Sequence, residues 1–310
     1  MAHKIRQLCL WSSLNLVAWA IAAGPSLRAQ APARELAGRL RAAARSVPGT
    51  LPTSLHYVKF AEASSPRSAL VEGADSGLVV VSFPVFQIRY PDRWIVVDAG
   101  FDRRDWTAFY GSAPVSYWPE RWDTVRTLLR GASTVVLTHE HWDHAAGVER
   151  GSGLGEIAAH TALTPSQLAS LLDPPAPVYV ALRRDSVPAY RRLGVDTLHA
   201  LAPGVVLLAA PGHSPGSQWV YVRLASGREF LLVGDLVWNA VGLERQSQRP
   251  RPTSESLKED RDAVRRQLQV VRALADSTGL VIVPSHDDAL LATLARSGAL
   301  QDHADLSRRP

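Results

Sequence analysis

Seven residues of ligand type dominate the chemistry this chain could perform. Thr138-His139-Glu140-His141-Trp142-Asp143-His144 places three histidines and an aspartate within six residues. Neutral imidazole and carboxylate are the donors that a zinc-like divalent cation takes, at about 2.0–2.2 Å per bond. Three further candidates stand alone, at His213, Asp235 and His286. A solvated loop that happens to be rich in histidine would explain one such residue. It explains poorly a tight His-x-His-x-Asp-His run followed by three more donors in one recurring setting.

That setting is the end of an apolar run. Ser133 to Leu137 is β-branched and apolar, reads as a short buried strand, and leads into the histidine run. Ala145-Ala146-Gly147-Val148 follows as the first turn of a helix. Leu207 to Gly212 precedes His213, Phe230 to Gly234 precedes Asp235, and Leu280 to Ser285 precedes His286. Donors on loops at several strand ends can converge on one point.

This pattern resembles the metallo-β-lactamase superfamily, through His139, His141, Asp143, His144, His213, Asp235 and His286. The resemblance spans most of the chain after residue 75 and is specific for fold rather than substrate. It implies an α/β fold, an αββα sandwich of two facing mixed sheets with helices outside. It also implies that His139, His141 and His213 hold one metal, that Asp143, His144 and His286 hold a second, and that Asp235 bridges them. Asp98, at the end of the run Trp94-Ile95-Val96-Val97, would support the site from behind the ligands. The cofactors expected are two divalent ions, zinc first, with iron, manganese or cobalt also suited to these donors.

Two metals sharing a carboxylate can share a water that loses its proton near neutral pH, and the bridging hydroxide would attack a carbonyl. Asp235 and Asp143 would then be the catalytic carboxylates, Asp143 also moving a proton. Pro211-Gly212-His213-Ser214-Pro215-Gly216-Ser217 and Gly234-Asp235 are most similar to the acyl-homoserine-lactone lactonase group. That similarity implies a small-molecule lactone or ester as substrate. In that group a tyrosine commonly stands three residues after the bridging aspartate; here the position is Trp238, whose indole N–H can donate but offers no acidic hydroxyl. Trp106 and Tyr110 are further substrate candidates, in the aromatic stretch from Phe101 to Arg121. A β-lactamase-like amide hydrolase is the alternative enzyme, disfavoured because no cysteine stands at the site. A non-enzymatic metal-binding domain is the alternative of another class, and it predicts a missing ligand where none is missing.

The N-terminus reads as a signal peptide over residues 1–29. His3, Lys4 and Arg6 open it, Leu8 to Ala23 is mostly apolar, and small residues follow. Its core is short of the roughly 20 residues that span a bilayer. A periplasmic or secreted protein without a stable membrane anchor is expected. Removal of Lys4, Arg6 and Arg28 would lower the formal charge from +5 to +2, so the basic balance does not indicate nucleic acid. Cys9 is the single cysteine and would leave with the leader.

In chain order, Pro32 to Arg45 reads as a surface helix, so that residues 30–45 form an N-terminal helix and linker. Residues 46–303 read as one domain and 304–310 as a polar tail. Leu55 to Ala63, Gly77 to Tyr90 and Trp94 to Val97 read as strands, and Phe101 to Arg121 as a long loop without period. Trp122 to Arg130 reads as a helix, and Glu156 to Ala159 as a strand. Thr164 caps a helix that opens at Pro165. Val205 to Ala210, Gln218 to Leu224 and Glu229 to Val233 are strands. Trp238 to Ser256 reads as a solvated polar loop carrying Arg245, Arg249 and Arg251; Leu257 to Ala275 is an amphipathic helix, and Asp287 to Ala295 a closing one. His56, His160, His199 and His303 read as surface or supporting residues.

Overall fold

The computed structural model describes residues 27–150, 154–194 and 197–307. Most of the expected signal peptide lies outside the described residues. The chain opens with α1 (Leu27–Ser46), β1 (Ser54–Pro66), the single turn α2 (Arg67–Leu70), β2 (Leu78–Arg89) and β3 (Trp94–Val97). It continues through α3 (Arg103–Tyr110), β4 (Ser116–Tyr117), α4 (Pro119–Gly131), β5 (Thr134–Val136), α5 (Trp142–Arg150) and α6 (Leu154–His160). Next come β6 (Thr161–Leu163), α7 (Pro165–Leu172), β7 (Arg191–Arg192), β8 (Leu198–Ala202), β9 (Val205–Ala209), β10 (Gln218–Arg223) and β11 (Glu229–Gly234). The last elements are α8 (Ala240–Arg245), α9 (Arg251–Leu257), α10 (Arg261–Thr278), β12 (Val281–Pro284) and α11 (Asp288–Arg296).

Two sheets form, a seven-stranded one in the order β4-β1-β2-β3-β5-β6-β7 and a five-stranded one in the order β12-β11-β10-β9-β8. The alternation of strand side chains assigns their faces. Ile95 and Val97 of β3, with Val136, point at Val220, Val222, Leu232 and Val283 of the other sheet. Trp94 and Val96 point the opposite way, into a layer shared with Val125 and Leu128 of α4 and Ala145 of α5. On the far side Tyr221 and Leu231 meet Val264, Leu268 and Val271 of α10. Burial of each valine, leucine or isoleucine in these layers contributes about 1.5–3 kcal/mol. The result is the expected αββα sandwich.

Several expectations change or sharpen. α1 lies on the surface with Glu35 and Arg39 exposed, but it is docked along its length: Ala33, Ala37, Leu40 and Ala44 are buried against α10 and the smaller sheet. The stretch Phe101 to Arg121 contains α3, whose N-cap Asp102 accepts from Arg104 N and Asp105 N while Asp105 answers back to the Asp102 N–H. The expected strand at Glu156 to Ala159 is part of α6; short apolar runs do not separate strand from helix. The polar loop after Trp238 holds α8 and α9, and the amphipathic helix begins later, at Arg261, behind the Asp260 N-cap. The tail is also engaged: Asp305 N donates to Gln87 Oε1 at 2.9 Å and Gln87 Nε2 to Asp305 O at 2.7 Å. Among the described residues no helix is long and apolar enough to cross a membrane.

Parallel pairing of β3 with β5, and of β11 with β12, sends their C-terminal ends to one edge of the sandwich. The loops carrying Asp98, the histidine run, Asp235 and His286 leave from those ends. The two sheets are tied there by Gln218, whose N donates to Thr138 O at 2.8 Å and whose Nε2 donates to Leu137 O at 2.7 Å. Packing of α5 against this edge is backbone to backbone. Ala99 N donates to His144 O at 2.7 Å and Gly147 N to Gly100 O at 2.9 Å. A Cβ on Gly147 would stand 2.2 Å from Ala99 O, so only glycine lets α5 come this close.

Candidate metal centre

All seven expected ligand residues lie together at that edge. The donor atoms fall into two groups, His139, His141 and His213 in one and Asp143, His144, Asp235 and His286 in the other, each within 4.8 Å of one another. All but Asp143 are buried. Asp235 stands at the seam. Its Oδ2 lies 3.6 Å from His213 Nε2 and 3.8 Å from His139 Nε2. Its Oδ1 lies 3.3 Å from His144 Nε2 and 3.1 Å from His286 Nε2.

The outer nitrogens of four histidines have protein partners. His213 Nδ1 meets Glu259 Oε1 at 2.6 Å and His286 Nδ1 meets Ser82 O at 2.7 Å. His144 Nδ1 meets Asp98 Oδ2 at 2.9 Å and His139 Nδ1 meets Thr138 Oγ1 at 3.1 Å. These acceptors assign the Nδ1–H tautomer and turn each Nε2 lone pair inward. In the first group His139 Nε2 and His213 Nε2 face each other at 3.2 Å. Burial, then the positive charge of neighbouring imidazoles, keeps His139 and His141 well below the usual histidine range. Neutral imidazoles with converging lone pairs are satisfied by a cation. His141 Nε2 and Asp235 Oδ1 are buried without a hydrogen-bond partner, which fits the same reading.

The second group draws positive charge by a different route. Burial opposes charging of His144 and His286, but Asp143, Asp235 and, for His144, Asp98 outweigh it and raise both. Burial pushes the Asp143 carboxyl up. Burial would do the same to Asp235, yet His286, His144 and His139 hold it well below the carboxylate range. The donor chemistry therefore fits divalent ions in both groups.

Asp98 takes the supporting place expected of it. Besides His144, its Oδ1 accepts from Thr138 N at 2.7 Å, and its own φ of 66° lies in the left-handed region. Trp238 Nε1 donates to Asp235 Oδ2 at 2.5 Å, so the indole N–H is already engaged. Trp106, expected to meet substrate, packs against neighbouring aromatic rings and also lines a surface cavity with Arg103 and Ser116. It is buried, its Nε1 donates to Ala113 O at 2.9 Å, and its ring sits edge-on to Phe83, which in turn contacts His286. Tyr110 remains exposed at the same helix's end. Its ring packs against Trp106 and Trp142, and partial burial, with Asp143 and Asp235, pushes its phenol up to about 12.

Other residues of the site are not legible in the sequence. Glu140 points away from the donors and is buried, its Oε1 accepting from Gly216 N at 2.8 Å and its Oε2 from Ser214 Oγ. It locks the histidine run to the His213 loop. Arg249, expected in solvent, is 2% exposed and pairs with Glu259. The acidic run around Glu259 and the Arg-Pro repeat around Arg249 carry no signal for this contact. Arg251 does face solvent, and Arg245 lies on the surface.

Comparison with known proteins agrees with this architecture. Residues 84–286 match the family model of the metallo-beta-lactamase superfamily. N-acyl homoserine lactonase AttM of Rhizobium johnstonii is 26% identical over 271 residues, covering 80% of this chain and 94% of that protein. N-acyl homoserine lactonase AiiB of Agrobacterium fabrum is 30% identical over 187 residues, 58% of this chain and 65% of its own. A solved structure of an N-acyl homoserine lactone hydrolase, with N-hexanoyl-L-homoserine bound at its catalytic metal centre, has a TM-score of 0.60 at 17% identity. It covers 79% of this chain and 97% of its own. The dizinc lactonase AidC has a TM-score of 0.55 at 13% identity, with 78% and 90% covered. The chain belongs to the metallo-β-lactamase superfamily and is a metal-dependent hydrolase of that fold.

Proposed function

We propose that the enzyme opens a lactone or ester of the N-acyl homoserine lactone kind at a dinuclear centre. The observation that carries this reading is the position of Asp235 between the two groups of donors, its carboxylate within 3.6 Å of His213 Nε2 on one side and within 3.3 Å of His144 Nε2 and 3.1 Å of His286 Nε2 on the other. His139, His141 and His213 would hold one ion, Asp143, His144 and His286 the other, with Asp235 shared. When bound, zinc or a similar divalent ion supplies Lewis acidity to a carbonyl oxygen and brings deprotonation of water toward neutral pH.

The chain's own residues do the rest. Asp235 sets the spacing of the two groups. Asp143, the one partly exposed donor, takes the proton of the attacking water and returns it to the ring oxygen as the ester C–O bond breaks. The products are a carboxylate and an alcohol, with one proton released. Tyr110, exposed at the end of α3, is the aromatic side chain offered to substrate. Similarity to lactonases along most of the chain supports the substrate class, and the basic then apolar N-terminal sequence supports a periplasmic or secreted location.

The test is proton release from a long-chain N-acyl homoserine lactone by zinc-loaded protein. Asp235→Ala should keep its fold and lose hydrolysis. Undiminished release by that variant contradicts the reading.

A further inference from the structure

Behind His213 lies a buried ion pair that reaches both groups of ligands. His213 Nδ1 lies 2.6 Å from Glu259 Oε1, which accepts from it in the Nδ1–H tautomer, and 2.9 Å from the terminal nitrogen of Arg249. Arg249 donates to the same oxygen from Nε at 2.9 Å and from its terminal nitrogen. That terminal nitrogen also donates to Asp235 O at 2.7 Å. The guanidinium lies 4.8 Å from the centre of the Trp238 ring, and Trp238 Nε1 donates to Asp235 Oδ2 at 2.5 Å. Both charged side chains are only 1% exposed.

A buried carboxylate is costly unless paired, and a buried arginine equally so. A packed apolar pair would fill the same space. The arrangement makes sense through what its polar atoms hold: the outward nitrogen of His213, the backbone of Asp235, and the indole bonded to the Asp235 side chain. Carboxylates in such places orient an imidazole and raise its basicity toward a metal.

We propose that Glu259 is the positioning residue of His213, and that Arg249 couples it to Asp235, so that the pair sets the affinity of the first metal group. This rests on the dinuclear reading above but not on the choice of substrate. Removing one partner would strand a buried charge and endanger the fold, whereas removing both leaves no charge unpaired. Two variants are therefore measured. Arg249→Met combined with Glu259→Met removes the pair. Glu259→Asp keeps both charges and withdraws the carboxylate by one methylene.

Stepwise zinc affinity is read by competition with a chromophoric chelator, alongside the visible spectrum of the cobalt-loaded protein. The expected result is about 10- to 100-fold weaker binding at one of the two steps in the double variant, a smaller loss in Glu259→Asp, and a changed cobalt spectrum in both. Unchanged affinity and spectrum in Glu259→Asp, or in a folded double variant, overturn the proposal. Wild-type protein that binds two zinc ions but leaves lactones intact would defeat the proposed substrate and leave this inference standing. Wild-type protein that binds no zinc would defeat both.

Discussion

The indole of Trp238 donates its single hydrogen to Oδ2 of Asp235 at 2.5 Å. A residue three positions past the carboxylate proposed to be shared thus steadies that carboxylate. A hydrogen bond to a charged group is worth about 1.5–3 kcal/mol. Trp238→Phe keeps an aromatic ring and removes the donor. Its kcat is expected to fall about tenfold with little change in melting temperature. An unchanged kcat would show that Asp235 is held without the indole.

Asp98 holds His144 at 2.9 Å and Thr138 through two hydrogen bonds. Asparagine tolerates the left-handed backbone that Asp98 adopts, so Asp98→Asn tests charge and orientation with little strain. Zinc affinity at one step should weaken about 10- to 100-fold, measured by chelator competition. Equal affinities for wild type and variant would remove Asp98 from the account.

Gly147 admits no side chain because of Ala99 O. Gly147→Ala must push α5 away from the end of β3 or strain its first turns. A loss of about 3 kcal/mol is expected in urea unfolding, since forced overpacking costs about 1–3 kcal/mol and this contact is with backbone. Because Asp143 and His144 ride on α5, zinc affinity should fall too. A fully stable Gly147→Ala protein would mean that α5 does not pack as described.

Arg41 of α1 forms a two-pronged contact with Glu229 of β11, to which Tyr221 Oη also donates at 2.7 Å. Burial pushes the Glu229 carboxyl up, but Arg41 and Tyr221 more than reverse this and leave it below its ordinary value. A carboxyl lowered by folding contributes stability above its unfolded pKa, and that contribution disappears as pH falls through the folded value. Glu229→Gln should therefore cost about 1 kcal/mol at neutral pH and progressively less below about pH 4. A pH-independent difference in unfolding free energy would contradict the sign.

The candidate donor cluster was legible because each member is an interruption: a donor residue directly after a strand-forming apolar run, as at His213, Asp235 and His286. The sheets were legible for the same reason, since Trp94 to Val97 and Gln218 to Arg223 carry the strand signal without long-range information. α3 was hidden because Trp106, Phe109 and Tyr110 do have helical spacing but lie among other aromatics that blur it. The docked side of α1 was hidden because its buried stripe is largely alanine, at 33, 37 and 44, which signals helix propensity more than core. Glu259 was out of reach in principle. Its partners His213 and Arg249 lie 46 and 10 residues away, and its burial comes from the packing of α9 and α10 around the loop between them.

The most direct test of the dinuclear hydrolase is a zinc titration of metal-free protein, with bound zinc and proton release from N-hexanoyl homoserine lactone followed together. The account predicts two zinc ions per chain, with release reaching its full rate only as the second is taken up. Full activity with a single zinc, or a protein carrying two that releases no proton, would contradict it.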